Sequence, residues 1–165
     1  RGLNFVALLD LNVFSAVDPN GLLPENSFLI FFIGGYGDKG EVHYFDVEAN
    51  DLERHVVEHD KWFWDGCLVD RVFQESESLG SRYEEEGGEM EWDHFAGSEK
   101  SKIYGIYTHC QKDEKEIVKI TNSNNILLLQ LGEDFTGEGV WSVLIKESDL
   151  KKKKFGKCKF DWGQS

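Results

Sequence analysis

The residues whose type and spacing could do chemistry start with His55-Val-Val-Glu58-His59. This fits H-x-x-E-H, the inverted zinc-hydrolase signature. On a helix, positions i and i+4 share a face, so His55 and His59 could hold one zinc ion while Glu58 activates a water. A third ligand has to come from elsewhere, and the sequence shows no second long helix to carry it. An exposed, highly charged helix that happens to hold two histidines accounts for the same residues. The metal-dependent hydrolase is therefore the alternative reading, and the residues imply neither a catalytic set nor a cofactor.

Charge runs come next. Glu84, Glu85, Glu86, Glu89 and Glu91 form an acidic stretch in which residues 75–99 carry Arg82 as their one basic side chain. Such a run is a solvated loop or helix, or a surface for a basic partner. Lys151 to Lys154 read as the solvated end of a helical turn, where cations suit the helix dipole. Cys110 follows His109, but neighbouring side chains on a strand point apart, so the two are no nucleophile–base pair. Trp62, Trp64 and Trp92 could form an aromatic surface, although tryptophan in a small domain is more often core or core edge. Gly34-Gly-Tyr-Gly37 lies between two strands and is turn chemistry. GxSxG and GxxxxGK are both missing.

These groups sit on a chain of 165 residues with 31 acidic and 18 basic side chains, a formal charge of −13. The acidic excess repels phosphates and argues against coating nucleic acid or an anionic membrane. Hydrophobic residues make up 40 %, no apolar run reaches the ~18 residues of a membrane span, and the length fits one domain, 1–165. The 3 cysteines are odd in number and far apart. They point to reduced, buried thiols and a cytoplasmic setting rather than a disulfide framework. A chain starting at Arg1 is read as a fragment or processed form.

The elements that must position these groups are mostly strands. Leu3 to Leu11 and Phe28 to Ile33 are short apolar runs, expected to be strands covered on both faces. The turn Gly34 to Gly40 returns the chain into a strand over Glu41 to Val47, with His43, Phe45 and Val47 on one face. Asn50-x-x-Glu53 predicts a capped helix start, with Leu52 and Val56 on one side. Cys67 to Phe73, Asn125 to Leu131 and Val140 to Ile145 read as strands, and Gly132 to Gly139 as an acidic glycine loop. Ser148-Asp149-Leu150 opens a helical turn. Lys157 to Trp162 alternates with period two, with Cys158, Phe160 and Trp162 on one face.

An internal repeat is visible in two registers. Phe28 to Leu52 matches Ile126 to Leu150 in length and pattern, and the stretch from Asn4 matches that from Asn125. Either register predicts an α+β fold: a mostly antiparallel or mixed sheet with duplicated β units and a few short helices.

Several pieces taken in order resemble the YwqG-like family. They are Phe5-Val-Ala-Leu-Leu-Asp-Leu11, Gly21-Leu-Leu-Pro24 with Phe28 to Ile33, Ser101 to Gln111, Asn125 to Leu131, Gly139 to Leu150 and Phe155 to Ser165. The resemblance runs over most of residues 3–165. The family's Gly-Gly-Tyr-Pro is reduced here to Tyr104-Gly105-Ile106-Tyr107, the loop at 132–139 lacks its Trp-Gly-Asp, and its N-terminal third is missing. The resemblance implies a truncated or divergent member of an uncharacterised α+β family, with an immunity role as one hypothesis. It implies no catalytic residue. The expected function is a non-enzymatic binding or interaction protein for a basic protein, through Glu84, Glu85, Glu86, Glu89 and Glu91. The alternatives are the hydrolase above and a purely structural domain.

Overall fold

Branched and aromatic residues dominate Asn4–Asp10 and Phe28–Ile33, which favours extended backbone. In the computed structural model these are strands β1 and β2. The structure describes residues 2–34, 39–53, 68–69, 72–74, 100–109 and 111–164. Asp10 ends β1 and caps the short helix α1, Leu11–Ser15, by accepting the Asn12 backbone N–H at 2.9 Å. Strand β3, Gly40–Phe45, returns antiparallel to β2, and the first sheet has the order β1-β2-β3.

The second sheet repeats this plan. Strand β4 is Asn125–Leu131, β5 is Val140–Lys146 and β6 is Lys159–Gly163, in the order β4-β5-β6, all antiparallel. Three short helices accompany it: α2, Glu114–Thr121; α3, Glu133–Thr136; and α4, Glu147–Leu150. The first strand of each sheet carries a register shift, between Phe5 and Ala7 in β1 and between Leu127 and Leu129 in β4. Each is followed at once by a helical turn, α1 or α3. This equivalence selects the repeat that pairs Asn4 with Asn125 and makes β1–α1–β2–β3 the counterpart of β4–α3–β5–β6. The α+β class with duplicated β units is what the structure shows.

The two sheets share one core. Leu29, Phe31 and Val42 of the first pack in one cluster with Leu129, Val143 and Ile145 of the second, together with Leu11, Leu150 and Phe155. Each such buried side chain contributes about 1.5–3 kcal/mol relative to exposure. Tyr44 stacks on Phe155 at 5.4 Å. Gly40 lies so close to Phe160 that a Cβ there would overlap the ring and approach the Phe32 carbonyl oxygen to 2.6 Å. The opposite face of the second sheet is covered by α2 and residues 106–107, where Ile106, Tyr107 and Ile117 bury Leu127 and Leu144.

Four local expectations are corrected. The run over β1 and β2 is not covered on both faces: Phe5 is 55 % and Leu8 42 % exposed. Asn50 does not cap a helix. Ala49–Asp51 is a single 3-10 turn capped by Glu48, whose side chain and that of Asp51 close a reciprocal box. Leu68, Val69, Val72 and Phe73 form no strand and are exposed. The glycine loop after β4 contains α3, ended by Gly137 at φ 71°.

Candidate functional site

Titratable groups converge on Asp161 of β6. On this side of the second sheet Gln130, Ser142 and Asp161 share one cross-strand row, and residues 107–109 lie over it. Tyr107 donates its hydroxyl to Asp161 Oδ2 at 2.6 Å, and Lys112 Nζ donates to the same oxygen at 2.7 Å. His109 Nε2 sits 3.1 Å from the Trp162 carbonyl oxygen and 3.5 Å from Asp161 Oδ1, while its Nδ1 accepts the Gln111 N–H at 3.1 Å. These partners assign the proton to Nε2. Burial pushes the Asp161 carboxyl up, but hydrogen bonds from His109, Lys112 and Tyr107, with the Lys112 charge, outweigh it and hold the group well below the usual carboxylate range. Tyr107 and His109 are buried. Both imidazole nitrogens engage backbone, so this cluster locks the covering segment onto the sheet.

A cleft opens beside it. Asn20, Tyr104, Gly105, Thr121, Ser123 and Asn125 contribute to a hollow of about 250 Å³. It adjoins a second hollow of about 350 Å³ bordered by Gly21, Glu147 and Lys151. Asp18 does not line either hollow but holds lining residues in place. Its carboxylate accepts the N–H groups of Asn20, Leu22 and Leu23 at 2.8, 2.6 and 2.8 Å, and the Tyr104 hydroxyl at 3.1 Å. Burial raises its pKa, yet these four donors bring it below the ordinary value. Burial and the Asp18 charge push the Tyr104 phenol upward, so it stays protonated. Tyr104 has φ 64°, a left-handed conformation rare outside glycine, held by that bond and by its N–H on the Leu127 carbonyl at 2.8 Å. Glu147 pairs with Lys151. The titratable groups of the cleft are thus engaged, and its amide and hydroxyl groups suit hydrogen bonding to a small polar molecule.

The third feature is the outer face of the first sheet. Phe5 meets Phe32 edge-on at 6.1 Å, Phe32 meets His43 edge-on at 5.7 Å, and His43 stacks with Phe45 at 6.3 Å. The ladder crosses all three strands. Phe45 is 40 % exposed, and Leu8 and Ile30 lie in the row of His43. An exposed contiguous apolar patch with polar edges is the usual mark of an interaction surface.

His55, Glu58 and His59, and Glu84, Glu85, Glu86, Glu89 and Glu91, fall outside the described residues, as do Trp62, Trp64, Trp92, Cys67 and Cys110. Among the described residues no group of His, Cys, Asp and Glu could hold a metal ion. No described helix is long and apolar enough to cross a membrane. Among the described cysteines, Cys158 is free, and burial raises its thiol to about 12. The Asp161 cluster, the Asp18–Tyr104 bond and α2 were missed. Asp113-x-x-Glu116, where Asp113 accepts the Glu116 N–H at 2.9 Å, was the available signal for α2.

A family model described as a domain of unknown function (DUF1963) matches residues 1–163. The chain belongs to that family. No curated protein matches it. DUF1963 carries no assigned activity, so function has to be argued from the surfaces above.

Proposed function

We propose that this DUF1963 domain, read more finely as a YwqG-like member, is a binding module for a basic protein, works in the cytoplasm and performs no chemistry of its own. An immunity-type role, in which the partner is a basic toxin, falls within this reading. The observation that carries it is the exposed aromatic ladder on the first sheet of a chain whose formal charge is −13. Apolar area supplies affinity, and the negative field raises the encounter rate of a cationic partner. The buried cluster at Asp161 and the Asp18–Tyr104 bond then serve to hold the two sheets and their covering segments rigid behind that face.

The test is affinity capture at low and high salt, followed by reconstitution from purified components. The reading expects a basic protein that rebinds when purified and weakens as salt rises. Failure to recover and rebind any basic protein under either condition contradicts it.

A further inference from the structure

We propose that the outer face of the first sheet is the docking site for an amphipathic basic helix of the partner, with the Phe5–Phe32–His43–Phe45 ladder as its contact core. This rests on the binding-module reading and assigns the contact to the ladder rather than to Glu84, Glu85, Glu86, Glu89 and Glu91, which fall outside the described residues.

The face has a defined chemistry. Its cross-strand rows are Phe5–Phe32–Glu41, Leu8–Ile30–His43 and Asp10–Phe28–Phe45, the last with Phe28 already buried and Phe45 exposed. The middle is apolar, and each end carries a carboxylate, Glu41 or Asp10. Asp46 follows Phe45 and is exposed. Strands β1, β2 and β3 contain no lysine or arginine. Among the described residues of these strands, His43 is the one group that can carry positive charge, and its Nε2 lies 2.9 Å from Glu41 Oε2. An apolar stripe flanked by lysine or arginine is the complementary surface.

Size selects a helix. Three strands spaced about 4.8 Å apart span roughly 10 Å, and six residues run about 20 Å. A helix is about 10–12 Å across and needs about 14 residues to cover that length. The footprint, on the order of 200 Å², is far below the roughly 800 Å² per partner of a stable protein pair, which disfavours a second copy of this chain packed face to face. The ladder residues are aromatic and partly exposed already, so little side-chain entropy is lost on docking.

The experiment uses the full chain and two labelled synthetic peptides of about 14 residues with the same apolar stripe at helical spacing. One is filled out with lysine, the other with glutamate, and binding is followed by fluorescence anisotropy. The inference expects the leucine–lysine peptide to bind saturably at low salt and the leucine–glutamate peptide at least about tenfold more weakly. Phe5→Ser with Phe45→Ser is expected to weaken the lysine peptide by at least about tenfold. Both positions are exposed, and circular dichroism confirms that the variant folds. Glu41→Gln is expected to weaken it severalfold and to reduce the salt dependence. Undiminished binding by the double variant overturns the inference, as does equal binding of the two peptides or no binding of either. If glutamine substitutions at Glu84, Glu85 and Glu86 abolish binding while the ladder variant does not, the inference fails and the basic-partner reading survives. Sedimentation that shows a dimer displaced by the peptide also overturns it, in favour of a second copy.

Discussion

Tyr107 and Asp161 are joined by a 2.6 Å hydrogen bond across 54 positions of sequence. The bond ties the segment covering the second sheet to the edge strand β6. A tyrosine, a histidine, a lysine and an aspartate meet there, and their hydrogen bonds hold the covering segment on the sheet.

Removing that hydroxyl tests the point. Tyr107→Phe keeps the ring in its buried place and deletes the donor to a charged acceptor. The expected loss is about 1–2 kcal/mol of unfolding free energy, read from urea denaturation at neutral pH. An unchanged midpoint would show that the bond adds nothing.

The acid limb of stability follows from Asp161. Its folded pKa lies below the unfolded value of about 3.9. The unfolded chain therefore takes up the proton first as pH falls, and the contribution of this group is complete above about pH 5 and is lost progressively toward lower pH. Asp161→Asn should start less stable at neutral pH and lose less on acidification. Asp18, also lowered, leaves a residual slope. Parallel acid limbs for the two proteins would contradict the assignment.

Cys158 gives a chemical readout of burial. With its thiol pushed up to about 12 from an ordinary 9.0, the thiolate fraction near pH 8 falls roughly a thousandfold. In a Cys67→Ser/Cys110→Ser background the native protein should resist a thiol-specific reagent and react promptly in urea. Rapid native labelling would place Cys158 at the surface.

Two glycines separate backbone strain from crowding. Gly137 and Gly139 have φ 71° and 75°. Nothing lies within 4 Å of a Cβ at Gly137, whereas one at Gly139 would come 2.5 Å from the Gly163 carbonyl oxygen and 2.9 Å from Trp162 Nε1. Gly137→Ala should cost about 1–2 kcal/mol for the left-handed conformation alone, and Gly139→Ala about 2–4 kcal/mol because overlap is added. Thermal unfolding of both variants checks the order.

Local pattern was enough for much of the fold. Phe28–Ile33 and Asn125–Leu131 were legible because short apolar runs bounded by turn residues leave little choice but strand. The runs over Asn4–Asp10 and Phe28–Ile33 misled about coverage, because continuous apolarity marks a strand that wants burial on both sides without saying whether this chain supplies the second cover. Phe5 and Phe32 are the instance: on the outer face, the ladder meets solvent. The polar clusters were illegible for another reason. Asp18 reaches Tyr104 across 86 positions, and His109 reaches β6 from a loop, so neither contact leaves a periodicity or spacing to read. Helix α2 is short and largely charged, and only its aspartate cap announced it.

The most direct test of the central claim is a two-dimensional NMR titration of the isotope-labelled full chain with the leucine–lysine helix peptide, with amide shifts mapped along the sequence. The account predicts saturable shifts concentrated in Asn4–Asp10, Phe28–Ile33 and Gly40–Phe45. Shifts confined to the cleft around Asn20 and Ser123 or to the acidic stretch around Glu84 to Glu91, or no shifts at all, would contradict it.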